Sequence, residues 1–179
     1  MKKRGRQDRS GGKAKSGGPG KPGTARGSPE ARKTAVGGQP FIILTGLSGS
    51  GKSQAIRALE DLGYFCVDNL PTMLIPTLAR LSLRAGGDID KVAIVVDVRE
   101  GNFLSSLPKM LDRLHKMPRL NPVLIFLEAS HEALVRRFSE TRRPHPLAPN
   151  RSVTEGIRDE HARMQPIREL ADEIVTPRT

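Results

Sequence analysis

The 179-residue chain has room for one ordinary α/β domain and carries thirty Lys/Arg against nineteen Asp/Glu, a formal net charge of +11, with a single cysteine. No apolar run approaches the ~18 residues of a membrane span, and Cys66 has no partner within the chain, so a transmembrane helix and an intrachain disulfide are excluded and a reduced, cytoplasmic setting is the default. The charge is uneven: residues 1–40 hold eleven Lys/Arg against Asp8 and Glu30, +9 of the total, so the pI describes this tail and not a basic domain surface.

The tail is built from Lys, Arg, Gly, Ser and Pro with almost nothing to bury, and is expected to be disordered. It serves either as a basic arm that finds RNA, DNA or another polyanion by electrostatics, or as a solvated extension, since no aromatic residue interleaves with its charges. It lacks the apolar h-region of a secretory signal.

The first strand, Phe41-Ile42-Ile43-Leu44, leads into Gly46-Leu47-Ser48-Gly49-Ser50-Gly51-Lys52-Ser53, which matches G-x-x-x-x-G-K-[ST] residue for residue. A helix follows, with Ala55, Ile56, Leu59 and Leu62 on one face and Gly63 as its stop. Glycines let the backbone fold round a phosphate with its N–H groups pointing inward, and the helix N-terminus lies behind them. Lys52 is placed to reach the β/γ-phosphates, and Ser53 to offer its hydroxyl to Mg²⁺.

Tyr64-Phe65-Cys66-Val67 reads as a short buried strand with Cys66 as a small hydrophobe, ending at Asp68-Asn69-Leu70-Pro71. Asp68 either orients or deprotonates a phosphate acceptor at the ligand-binding rim or reaches Mg²⁺ through water, or else Asp68 or Asn69 simply caps the next helix. That helix is expected over Met73–Leu83, with Leu74, Leu78 and Leu81 on its apolar face and Pro76 in its first turn. Val92 to Val96 is a β-branched run suited to a central strand, and it ends in Asp97. A carboxylate there is the Walker-B arrangement, so Asp97 is the first choice for the metal side. Arg99 contacts phosphate or base from the same loop, or is a plain surface residue.

Phe103, Leu104, Leu107, Met110, Leu111 and Leu114 form a core stripe, with Pro108 confining the regular helix to its later turns. After an Asn121-Pro122 turn, Val123 to Glu128 is the fourth strand, where Glu128 competes with Asp97 or merely closes the strand. Ser130 caps the helix His131–Ser139, which leads into a proline-stiffened loop where Arg136, Arg137, Arg142 and Arg143 are either a phosphate-neutralising lid or a solvated helix end. His145, between two prolines, is structural. Ser152-Val153-Thr154-Glu155 is a capping box for a helix to about Met164 with a break or kink near Pro166, and Ala171 to Val175 begins a fifth strand. Alternating strands and helices imply an α/β fold with a parallel sheet of about five strands.

The P-loop, Gly63 to Pro71, Asp97-Val98-Arg99, Phe126-Leu127-Glu128-Ala129 and Arg137 to Leu147 occur together and in this order. On these motifs the chain from Phe41 to about Val175 resembles the RNase adapter protein RapZ family of P-loop nucleotide-binding proteins. The resemblance implies a kinase-like P-loop domain that binds ATP and GTP at Gly46–Ser53, with a second nucleotide contact at Asp97, Val98, Arg99 and Glu100. It also implies weak hydrolysis and, in some members, delivery of a small regulatory RNA to an endoribonuclease through a second, C-terminal domain, which would begin where this chain reaches Thr179. Three functions follow as expectations. They are a regulatory module with slow ATPase/GTPase activity, a small-molecule kinase using Asp68 and an arginine lid, and an RNA-binding adapter acting through the tail or the second domain.

Overall fold

The computed structural model describes residues 37–97, 103–141 and 144–177. The basic tail through residue 36, together with Val98, Arg99, Glu100, Arg142 and Arg143, lies outside them. In chain order the elements are β1 (Gln39–Gly46), α1 (Lys52–Asp61), β2 (Phe65–Asp68), a 3₁₀ turn (Thr72–Leu74), α2 (Ile75–Arg84), β3 (Val92–Val95), α3 (Phe103–His115), β4 (Leu120–Leu127), α4 (His131–Thr141), α5 (Val153–Leu170) and β5 (Glu173–Val175). Among the described residues they build one five-stranded sheet, β2-β3-β1-β4-β5, in which every pairing is parallel. The expected α/β class is therefore the observed one.

The ends of the chain order explain the burial. β3 lies between β2 and β1, and all four of its residues are buried, as its unbroken apolar sequence requires. β2 is an edge strand, so Phe65 is about half exposed (47 %) and the expectation of a buried strand is corrected. Cys66 is half-buried; burial and then the charge of Glu60 push its thiol pKa up, which suppresses thiolate reactivity. Successive residues of each strand face opposite sides. Phe41, Ile43, Val92, Ile94, Leu124 and Phe126 enter the large core with α2, α3 and α5, whereas Leu44, Val95 and Leu127 meet Ile56 of α1 in a smaller one. Leu62, expected on the inner face of α1, lies beyond its last turn and is 64 % exposed.

Two proline positions, Pro122 and Pro108, differ from expectation, and at Pro166 the helix does not break. Pro122 lies inside β4 and not in a turn before it. Leu124 donates its N–H to the Asp172 carboxylate (2.8 Å) and accepts from the Asp172 N–H (2.9 Å), so residues of this parity face the β5 side. Pro122 shares that parity at a point where β5 has not begun, and its missing N–H costs no bond to β1. Pro108 and Pro166 are likewise accommodated within continuous α3 and α5, on exposed positions where core packing of the other face holds the helix.

The apolar face of α2 is also corrected. Ile75, Pro76, Ala79 and Ser82 are buried, while Leu74 and Leu81 are exposed and Leu78 is half-buried. Two stripes of the same period lie one residue apart, and hydrophobicity alone selects the leucines. Ser82 is tolerated inside because its hydroxyl donates to the Ala79 carbonyl at 2.9 Å.

Candidate functional site

β1 ends at Gly46, whose φ of +145° only glycine adopts freely. A Cβ at this position would overlap the Leu127 carbonyl oxygen and lie 2.8 Å from the Leu127 carbonyl carbon and nitrogen, so a side chain here would drive β1 off β4. The chain then turns, with the Leu47 N–H donating to the Leu127 carbonyl (3.1 Å) and the Ser50 N–H to the Leu47 carbonyl (3.0 Å). Gly51, at φ +105°, is the N-cap of α1. No side chain caps this helix and no acidic residue occupies its first turn, so its N-terminal donors and positive dipole end are offered to an anion.

Lys52 folds back over the loop and donates to the Gly46 and Leu47 carbonyls, both at 2.9 Å. Ser53 is exposed one residue later on the same turn. Ser50 is fully buried, and its hydroxyl has no hydrogen-bond partner among the described residues. An uncapped helix terminus, a glycine-shaped loop, a positioned ammonium and an orphan hydroxyl together fit a phosphate group.

The candidate carboxylates differ in their surroundings. The Val96 N–H donates to the Leu44 carbonyl (2.9 Å), and the Thr45 hydroxyl donates to the Val96 carbonyl (3.1 Å), clamping the ends of β1 and β3. Continuing the register Leu44↔Val95 by two residues places Asp97 level with Gly46. On the other side of β1, Glu128 follows Leu127, the partner of Gly46. Glu128 is held by Arg168, whose Nε donates at 2.7 Å and whose second nitrogen donates at 3.4 Å. The guanidinium holds its carboxyl below the usual carboxylate range. Glu128 thus closes the strand by tying β4 to α5.

This pair has a pH signature. A carboxyl whose folded pKa is lowered adds stability above its unfolded value and loses that contribution as pH falls through the folded value. Arg168→Ala is therefore expected to lower the melting temperature at neutral pH, with the two proteins converging as acid protonates Glu128. A difference that stays constant to acid pH would show that Arg168 acts through packing alone.

Asp68 ends β2, exposed, on the same rim but two strands from the loop, and Asn69 follows at φ +54°. No side chain caps the following 3₁₀ turn or α2, so the capping alternative for Asp68 and Asn69 is not realised.

α4 presents Leu134, Arg137 and Phe138 along one face, and that face packs on the loop apex. A Cβ at Gly49 would be 3.5 Å from both the Leu134 and Phe138 side chains, and Arg137 donates to the Gly49 carbonyl at 2.6 Å. Arg136 lies on another face, exposed, 4.0 Å from Glu140. Of the described arginines in the expected cluster, the fold thus brings Arg137 alone to the loop. Ser130 caps α4 as expected, accepting from the Ala133 N–H at 3.2 Å, and the Ser152–Glu155 capping box is formed at the start of α5.

Glu160 was not among the expected site residues. Its carboxylate is 1 % exposed; it accepts the Ser48 N–H (2.9 Å) on one oxygen's side and the Ser48 hydroxyl (2.7 Å) on the other. His145, fully buried, faces it across 3.3 Å and meets the Phe138 ring in a tilted contact, with centroids 4.9 Å apart and planes at 48°. The available signal was a charge in the middle of the core stripe Ile157, Glu160, Met164 and Ile167.

The RapZ-like N-terminal domain family model matches residues 40–178. A nucleotide-binding protein of Myxococcus xanthus is 53 % identical over 139 residues, covering 78 % of this chain and 47 % of the relative. One from Clostridium perfringens is 50 % identical over 135 residues, covering 75 % and 46 %. The chain spans about half the length of these curated relatives. Among solved structures, shikimate kinase from Acinetobacter baumannii in complex with shikimate superposes with a TM-score of 0.51 at 18 % identity, over 78 % of this chain and 84 % of the kinase, a likeness of fold: a P-loop kinase-like sheet with flanking helices. With the family model matched along the whole sheet and its helices, the chain belongs to the RapZ-like family through its N-terminal domain.

Proposed function

We propose that this chain is a nucleotide-binding regulatory module that holds ATP or GTP with Mg²⁺ on the loop Gly46–Ser53 and hydrolyses it slowly. The observation that carries this reading is the uncapped, acid-free N-terminus of α1 behind a glycine-shaped loop, with Lys52 folded over it. Relatives about half identical to the chain are named nucleotide-binding proteins.

In this reading the loop amides and Lys52 hold the phosphates, and Arg137, already at the Gly49 carbonyl, neutralises charge at the loop apex. Ser53 and Asp97 would hold Mg²⁺. No cluster of three His, Cys, Asp or Glu able to hold a metal occurs among the described residues, so these two groups would share the ion with phosphate and water. When bound, the ion supplies Lewis-acid stabilisation of the transferring phosphoryl group. The second contact at Val98, Arg99 and Glu100 and the lid roles of Arg142 and Arg143 are proposed on the family resemblance.

The competing reading is a small-molecule kinase, for which the exposed Asp68 on the same rim would serve the acceptor. Incubation with γ-labelled ATP, Mg²⁺ and a metabolite panel separates the two: label released as inorganic phosphate supports the module, and label on an acceptor overturns it. Any RNA affinity of the chain we assign to residues 1–40, where +9 of the charge resides.

The two strand-end carboxylates are tested against each other. Asp97→Asn is expected to slow hydrolysis roughly 10²-fold, the effect of losing about 3 kcal/mol of metal-assisted stabilisation, with affinity changed at most about threefold. Glu128→Gln is expected to leave hydrolysis near native, because Glu128 is engaged by Arg168. The reverse outcome would move the metal side to β4.

A further inference from the structure

A buried polar bracket holds the loop at Ser48. Ser48 is 8 % exposed, Glu160 1 % and His145 0 %. Both hydrogen-bonding groups of Ser48 are directed inward: its N–H donates to one Glu160 oxygen at 2.9 Å and its hydroxyl to the other at 2.7 Å. The ring of His145 is oriented by its own neighbour. The Leu147 N–H donates to Nδ1 at 3.2 Å, which leaves the proton on Nε2 and lets Nε2 donate to Glu160 at 3.3 Å. Gly156 makes room for that ring, since a Cβ there would lie 2.5 Å from two of its atoms.

All three donors therefore converge on one carboxylate, which accepts from each. The bracket joins the loop to α5 through Glu160, and to α4 through the tilted ring contact of His145 with Phe138. An unpaired carboxylate at this depth would be costly, so the contact holds Ser48 in one orientation and with it the turn from Ser48 to Gly51.

We propose that Glu160 is a positioning residue for the phosphate-binding loop, holding Ser48 inward so that the amides after it stay aimed at the phosphates before nucleotide arrives. This rests on the nucleotide-binding reading above. Preorganisation of this kind is expressed as affinity, because a loop already ordered has less freedom to lose on binding. The role depends on geometry and not on charge. An amide at position 160 can accept the Ser48 N–H and the His145 Nε2–H on its oxygen, and donate its NH₂ to the Ser48 hydroxyl, which then acts as acceptor.

The test is titration calorimetry of the full chain with Mg-ATP and Mg-GTP, each variant studied well below its own melting temperature. E160A is expected to bind roughly tenfold more weakly, S48A roughly threefold to tenfold, and E160Q within about threefold of native. The S48A/E160A double variant is expected to bind no worse than E160A, because the two changes break one contact. E160A and S48A binding as native, while Lys52→Ala binds weakly, would overturn the positioning role and leave the nucleotide reading standing. Native protein that binds neither nucleotide would overturn both. Additive losses in the double variant would show Ser48 acting on its own and would also overturn the proposal. If E160A does not fold, S48A and E160Q decide: native affinity in S48A, or an E160Q loss as large as tenfold, overturns it.

Discussion

Gly46→Ala is expected to destabilise the fold by roughly 2–6 kcal/mol, the sum of overpacking against a rigid neighbour and a backbone conformation that only glycine adopts freely. Against a typical total of about 5–15 kcal/mol, that loss removes a large fraction of the stability of the fold. The new methyl meets the Leu127 backbone of β4, and the two strands are paired along eight positions from Gln39↔Leu120 to Gly46↔Leu127, so neither side yields locally. Gly63→Ala is the control. Its φ is also positive, at +81°, but nothing lies within 4 Å of the added Cβ, so only the conformational cost of about 1–2 kcal/mol remains. Chemical denaturation of both variants measures the difference. Equal midpoints would mean that the close approach of β1 to β4 does not limit residue 46.

The loop was legible because its constraints are local. Glycines at fixed spacing, a preceding apolar strand and a following amphipathic helix each demand the same conformation, and all agree at Gly46 to Ser53. The caps at Ser130 and Ser152 were legible for the same reason, since each is a contact between residues three apart. The inner face of α2 was not. Its two stripes differ by one residue in register, and the choice between them belongs to α3 and the sheet. Pro122 shows the same limit, because proline is excluded from a strand only where its N–H would face a partner, and which side β5 occupies is set by the fold.

The site divides along the same line. Arg137 and Arg136 are neighbours in sequence and equivalent in composition, yet the α4 face carrying Leu134 and Phe138 takes Arg137 to Gly49 and turns Arg136 to solvent. Glu160 is 112 residues from Ser48, and no local rule links them. What remained visible was the conflict of a carboxylate within an apolar stripe. Such a conflict marks a group paid for by specific partners, here two groups of Ser48 and the ring of His145.

Lys52→Ala is expected to weaken ATP or GTP binding about ten- to hundredfold, since a hydrogen bond to a charged group contributes roughly 1.5–3 kcal/mol. The side chain does two things that the experiment separates. It bridges the Gly46 and Leu47 carbonyls at 2.9 Å, tying the start of α1 to the end of β1, and it carries the positive charge at the mouth of the loop. The tie is only half-buried at its Lys52 end, and the net worth of such a bond is about 1 kcal/mol, so its loss lowers the melting temperature modestly. The charge is offered to phosphate, so its loss appears in affinity and grows with the number of phosphates on the ligand: small for a nucleoside monophosphate, large for a triphosphate. Calorimetry with the mono-, di- and triphosphate of one nucleoside reads that gradient directly. An unchanged triphosphate affinity in the folded variant would remove Lys52 from the phosphate site, and with it the functional assignment of the loop.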